Sequence, residues 1–452
     1  MITTRRIDYC SSAMPSLTSH GGASYRASMP DSSHCAAADT ALEPDARVPS
    51  RDRVLGHDAL AMRLAAISTE LNSHEALWRA LAFREPGMAW EAAHPGLAAA
   101  LRALPLEAAE ALHADPGACA DWLARWLPVE RWRLLAEVGA WPRHALRPWP
   151  REFQRDVPGR KWAQIEAFVV AVRDGGHECI DWCAGKGHLA RALSQQWNGR
   201  AVTALERDEA LVAAGAALAR RARLPVVPHA CDVLSEAVVP WLRAPRHAFA
   251  LHACGGLHLR LLRAGAAARL PAISCAPCCY HLGAQAGRLV VSLAGHAHAP
   301  RLRPEDLRTA VQETVTAPGH ARRHRRRVQQ WQLGFDLLQR EVRGVDAYLP
   351  LPPIDAAMLA GGFAAWCCAV AQHKQILLPG DVDFEAVERA GQERFRVVTA
   401  LDLVRHQFRR LLELWLVLDR ALFLAEQGYR VEVGEFCSRQ LSPRNLLIDA
   451  RL

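Results

Sequence analysis

Residues 178–189 read Glu178-Cys179-Ile180-Asp181-Trp182-Cys183-Ala184-Gly185-Lys186-Gly187-His188-Leu189. An apolar run stops at a glycine-containing turn and gives way to a helical pattern. Glycines at such a junction let the backbone approach a ligand closely, and the following helix offers unpaired N–H groups at its first turn. Gly185-x-Gly187-x-x-Ala190 also satisfies the dinucleotide fingerprint, so the turn alone leaves the ligand class open. It is not a phosphate loop. The spacing before Lys186 and the Ser or Thr after it are both absent.

The same alternation continues on both sides of the turn. A helix over 161–173 leads into the run 178–182, and helix 189–197 leads into the run 201–205. Helix 209–221 precedes 226–230, and helix 257–268 separates the runs 248–252 and 272–275. Strand and helix in strict alternation predict a parallel sheet covered on both faces. Residues 301–427 read as helices, and the chain closes with two strand-like pieces, 429–436 and 446–449, around Ser442-Pro443-Arg444-Asn445. Five parallel strands followed by an antiparallel hairpin predict an α/β, Rossmann-like sheet of the class I methyltransferase type. Dinucleotide dehydrogenases usually end differently.

The acids sharpen the ligand. Glu206 closes the second strand about twenty residues beyond the turn, where a carboxylate accepts from both ribose hydroxyls. Asp232 follows the third strand, in place to accept from an adenine amino group, and Asp181 sits where it can orient the turn near a methionine amine. The set Asp181, Gly185, Gly187, Glu206 and Asp232 fits S-adenosylmethionine better than NAD.

The fourth run ends in Leu251-His252-Ala253-Cys254-Gly255-Gly256 and the fifth in Ser274-Cys275-Ala276-Pro277-Cys278-Cys279-Tyr280-His281. Ligands of open α/β sheets bind at the carboxyl ends of the strands, so both segments should face the transferred group. Three readings compete. Cys275, Cys278 and His281, completed by His252 or Cys254, would make a zinc site. A Pro-Cys step would serve a nucleophilic thiolate. In the third, preferred reading, Tyr280 and His281 line the acceptor pocket while the cysteines are small buried apolar residues, and no metal is assigned. Tyr280 and His281 are the expected acceptor-handling residues.

Taken together, the GKGHL turn, HACG after the fourth strand, CCYH after the fifth and the closing LSPRN resemble a methyltransferase-domain family. It includes proteins named for a ribosomal RNA adenine dimethylase-like domain, and it is distantly similar to tRNA ribose methyltransferases of the acceptor stem. The resemblance runs from Pro158 to Ile448 and implies a class I S-adenosylmethionine-dependent methyltransferase; it does not deliver a substrate, and RNA is the favoured acceptor by family analogy alone. Asp181, Gly185, Gly187 and Glu206 are carried onto the cofactor site; His252, Cys254, Cys279, Tyr280 and His281 match the acceptor signature. Two positions depart from the pattern. Cys183 stands where a first glycine is usual, and Gly256 where an acid is common. A non-catalytic RNA-binding or assembly factor and, less well supported, an NAD-dependent oxidoreductase are the alternatives.

The remaining 452-residue layout follows. Residues 1–50, rich in Ser, Ala, Pro and Asp, read as a disordered leader. Residues 51–145 read as a helical accessory domain, 146–300 as the cofactor-binding core, 301–427 as a helical insertion and 428–452 as the hairpin completing the sheet. The formal charge of +8 is nearly all arginine, because Lys161, Lys186 and Lys374 are the only lysines. That bias weakens charge as an argument for a polyanion partner. The run from Arg322 to Arg327 is the best RNA-binding candidate, set against a solvated face of an amphipathic helix burying Val328, Trp331, Phe335 and Leu338. An odd count of 13 cysteines with adjacent pairs points to a reducing, cytoplasmic setting rather than a disulfide framework. The most apolar stretch, 411–425, carries Glu413, Asp419 and Arg420, so it does not read as a membrane span.

Overall fold

Seven strands form one sheet: β1 Glu178–Trp182, β2 Val202–Glu206, β3 Val226–Ala230, β4 Arg246–Cys254, β5 Ala272–Cys278, β6 Arg430–Glu435 and β7 Leu446–Arg451. The computed structural model describes residues 55–155, 157–243, 245–284, 289–312, 319–352 and 356–452. The expected leader, residues 1–50, lies outside them. Strand order is β3-β2-β1-β4-β5-β7-β6. β1 to β5 run parallel, and β7 is antiparallel to both neighbours. This is the expected Rossmann-like sheet, with the closing pair in place.

Central strands read as apolar runs because both faces are covered. All of β5 is buried, as are the last four residues of β1. Alternation along β1 divides the core between the two faces. Ile180 and Trp182 join the cluster that holds the Arg409–Glu426 helix, while Cys179 joins the one that holds the helices Gly159–Ala171 and His188–Gln196. Pro228 in β3 cannot donate to a ladder, and it is tolerated because β3 is an edge strand. At the other edge, Leu55 exchanges both backbone hydrogen bonds with Val433 of β6, and Trp141 N donates to Glu435 O. These short bridges blunt an edge that would otherwise offer unpaired groups.

The described residues, from Leu55 to Leu452, gather into one unit. The front helix His57–Ser73 shares a core with Arg409–Glu426: Leu60, Leu64, Ile67 and Leu71 are fully buried, and Trp415 Nε1 donates to Ser68 Oγ at 2.8 Å. The Arg409–Glu426 helix is buried almost throughout, including Glu413, Asp419 and Arg420. Asp419 accepts from the backbone N–H groups of Val291 and Ser292 and from the Ser292 hydroxyl. Arg420 Nε donates to His258 Nε2 at 3.0 Å, and its Nη1 to Leu416 O. Among the described residues no helix is long and apolar enough to cross a membrane.

The arginine run falls on the helix Gly319–Arg343. Trp331, Phe335 and Leu338 are buried, the first two against Phe363 and Trp366, so these aromatics are not available to stack on bases. Val328 is only partly buried, and Arg322, Arg323, Arg325 and Arg327 are exposed. Arg326 pairs with Glu110.

Candidate functional site

The turn after β1 is built on left-handed backbone. Cys183, Gly185 and Gly187 have φ of 60°, 58° and 65°. Glycine takes this conformation freely, whereas a residue with a Cβ pays about 1–2 kcal/mol. Cys183 therefore keeps the shape that the usual glycine would give, at the cost of strain. A Cβ on Gly185 would meet nothing within 4 Å, so that face of the turn borders open space. The turn is pinned from beneath, because the buried Asp181 carboxylate accepts from Ala190 N at 3.0 Å, locking β1 to the first turn of the next helix. Burial raises the Asp181 carboxyl from its ordinary 3.8 to about 7; the Ala190 N–H and Lys161 pull the other way.

Glu206, at the end of β2, comes to the same turn. Its Oε2 accepts from Gly185 N at 2.9 Å and its Oε1 from Asp208 N at 3.0 Å. A carboxylate has about four acceptor positions, so capacity remains for two hydroxyls. Asp232 is placed beside it by the Cys231 N to Glu206 O hydrogen bond of 2.8 Å, and its Oδ1 accepts from Leu234 N. Asp181, Gly185, Gly187, Glu206 and Asp232 thus lie along the carboxyl ends of β1, β2 and β3.

β4 and β5 bring the acceptor-side candidates to that edge. A register shift between Leu251 and Cys254 accompanies a left-handed His252, φ 63°, and Cys279 is left-handed as well, φ 46°. Strained non-glycine residues thus stand at three neighbouring strand ends: Cys183, His252 and Cys279. His252 Nε2 hydrogen-bonds to Gln164 Oε1 at 2.8 Å, while Gln164 Nε2 donates to Leu441 O. That network assigns the proton to Nε2 and leaves Nδ1 as an acceptor. Burial lowers His252 to about 4, so the ring is neutral. His281 is half-buried, with a buried Nδ1 that has no hydrogen-bond partner among the described residues.

Tyr280 requires a correction. It does not line the pocket but lies in the core, 2% exposed, edge-on to His258 and beneath the Arg420 guanidinium. Its hydroxyl donates to Pro277 O at 3.3 Å. The cysteines divide into two kinds. Cys275 is fully buried, with burial pushing its thiol up to about 12, as a small apolar residue should be. Cys254, Cys278 and Cys279 instead meet, their sulfurs all within 4.8 Å of one another. Hydrogen bonds from Cys254 and Cys278 hold the Cys279 thiol far below its ordinary value, with Arg444 and His281 adding to the effect.

Residues not picked from the sequence also reach this edge. Gln164 orients His252, Lys161 acts on both Asp181 and His252, and Arg444 acts on Cys279 and His252. Lys161 is one of three lysines and Arg444 sits in the closing SPRN turn, so each had a signal, though not one that named its partner. A separate recess of about 560 Å³ opens at the amino ends of β1 and β2 beside Asp174, Glu178 and Arg200. It is on the wrong side of the sheet for the turn, and Asp174 and Arg200 neutralise each other in a salt bridge.

Residues 160–285 match a family model described as a methyltransferase domain. No curated protein and no solved structure matches the chain. The matched span covers β1 to β5, the glycine turn and the three-cysteine cluster.

Proposed function

We propose that the protein transfers a methyl group from S-adenosylmethionine to RNA. The observation that carries the cofactor half is the joint placement of the left-handed Gly185–Gly187 turn and the Glu206 carboxylate. One offers close backbone approach and the other offers acceptors at the position a ribose would take. The donor set fits. Glu206 would take the ribose hydroxyls, Asp232 the adenine amino group, and Asp181 would hold the turn while facing the ammonium of the methionine part. A raised carboxyl such as Asp181 ionises more readily once a cation stands beside it, which couples binding to proton release.

S-adenosylmethionine supplies an electrophilic methyl group on a sulfonium centre. What the chain contributes is placement of the acceptor and removal of its proton. With Tyr280 in the core, that work falls to His252 and His281. His252 is a neutral ring with Nδ1 available as an acceptor, and the unpaired Nδ1 of His281 needs a partner that an acceptor's N–H or O–H would supply. Cys183 does not disable the turn, which favours an active enzyme over a non-catalytic relative of the fold.

RNA as the acceptor rests on the resemblance of the four motifs and on the exposed arginines of the Gly319–Arg343 helix, which would contact phosphates, whereas its buried Trp331 and Phe335 offer bases no stacking platform. Calorimetry with S-adenosylhomocysteine and with NAD tests the cofactor, the adenosyl ligand alone being expected to bind. Labelled methyl transfer into total RNA and total protein tests the acceptor. Label in protein alone would remove RNA from the reading.

A further inference from the structure

Cys254 ends β4 and Cys278 ends β5, and the two are paired across the ladder with their sulfurs 3.5 Å apart. That is too long for a disulfide, which needs about 2.05 Å. In a regular strand Cys279 would point to the face opposite Cys278. Its left-handed backbone breaks the alternation, and its sulfur joins the other two, all three lying within 4.8 Å of one another. Tetrahedral zinc with Zn–S bonds of about 2.3 Å sets its sulfurs about 3.8 Å apart, so three thiols already stand near the required spacing.

The backbone holds this arrangement without help from the thiols. Gly255 N donates to Cys278 O at 3.0 Å, Gly256 N to Leu282 O at 3.0 Å, and Leu282 N to Cys279 O at 2.9 Å. The two turns approach so closely that a Cβ on Gly255 would lie 1.9 Å from the Leu282 carbonyl oxygen. Gly255 itself has φ 53°. Cys278 is buried while Cys254 and Cys279 are half-buried, giving a supported base and a route in from solvent.

We propose that Cys254, Cys278 and Cys279 form a three-thiolate zinc site whose fourth position opens at the carboxyl edge of the sheet. On binding, each thiol releases its proton to solvent and each sulfur donates a pair to the metal. Three protein ligands with an open fourth position are the pattern of a reactive zinc rather than a purely structural one. The cluster stands at the carboxyl ends of β4 and β5, the edge that also carries the turn after β1, so the open position takes water or a heteroatom of the methyl acceptor. Only this last assignment rests on the methyltransferase reading; metal binding does not.

The test is metal analysis of the full-length protein purified without chelator, with about one zinc per chain expected. Cobalt(II) substitution should give thiolate-to-metal charge-transfer absorption and tetrahedral ligand-field bands. Cys254→Ser and Cys279→Ser should abolish stoichiometric zinc, whereas Cys368→Ser, an exposed cysteine elsewhere, should keep it. Gly255→Ala should weaken zinc on the order of 10–100-fold through displacement of the two turns. Should a variant fail to fold, alkylation mapping of the wild type gives the same answer, zinc protecting Cys254, Cys278 and Cys279 and chelation exposing them. A zinc-free protein with these thiols freely alkylated overturns the proposal, as does a Cys254–Cys278 disulfide or zinc retained in the serine variants. S-adenosylhomocysteine binding, measured on the same sample, reports on the cofactor reading separately.

Discussion

Asp181→Asn isolates what burial does to the carboxyl that pins the cofactor turn. The side chain is 2% exposed and accepts one backbone hydrogen bond, from Ala190 N, which an asparagine oxygen can accept as well. Burial raises the folded-state carboxyl to about 7 against an ordinary 3.8. Below the unfolded value both states hold the proton and the group does not affect stability. Between the two values the unfolded chain ionises while the folded one keeps its proton, so stability falls as pH rises through this window. The gap, at about 1.4 kcal/mol per pH unit, has a limit of about 4 kcal/mol once pH exceeds the folded value. The asparagine variant carries no such penalty. Urea unfolding of both proteins at about pH 5 and about pH 7 should show the wild type losing on the order of 2 kcal/mol more than the variant over that interval. Parallel pH profiles would refute the argument, because they would mean that Asp181 ionises normally in the fold and is not held in a desolvated site.

Three further outcomes are expected. Glu206→Gln removes the charge that accepts from Gly185 and Asp208, so S-adenosylhomocysteine affinity should fall by roughly 1.5–3 kcal/mol in calorimetry; unchanged affinity would exclude the ribose role. Gly185→Ala puts a Cβ into open space on left-handed backbone, so a thermal melt should register a cost of only about 1–2 kcal/mol. Ligand affinity should suffer more than stability, and an equal loss of both would argue that the ligand does not touch this turn. Asp419→Ala leaves the N–H groups of Val291 and Ser292 and the Ser292 hydroxyl without their shared acceptor inside the core, and should destabilise the protein by about 3–5 kcal/mol. A loss under about 1 kcal/mol by denaturant titration would mean that these groups find water instead.

How legible the molecule was depends on the range of the interaction that sets each feature. Strands β1 and β3 lie where the apolar runs placed them, and the other elements shift by a few residues at their ends, because period and turn chemistry are written in neighbouring residues. Gly185, Gly187 and Glu206 were readable for the same reason, since a turn and the next strand end lie at a fixed offset in any βαβ unit. Tyr280 was misplaced because CCYH at a strand end reads as one exposed group. Its direction is decided by the left-handed Cys279 before it and by Arg420 and His258, which come from elsewhere in the chain. Gln164, Lys161 and Arg444 were missed as partners, since what links them to His252, Asp181 and Cys279 exists only after the sheet closes.

A parallel α/β sheet, a cofactor-type turn after its first strand and an antiparallel strand near its end are all written in neighbouring residues. Those follow from local periodicity and from glycine's freedom at positive φ. Tertiary structure decided which cysteines share a site. Cys254 and Cys278 stand 24 residues apart and become neighbours only through parallel pairing, and Cys279 joins them only through its left-handed backbone. Side-chain convergence of this kind is a property of strand register and backbone torsion, and spacing along the chain does not encode it.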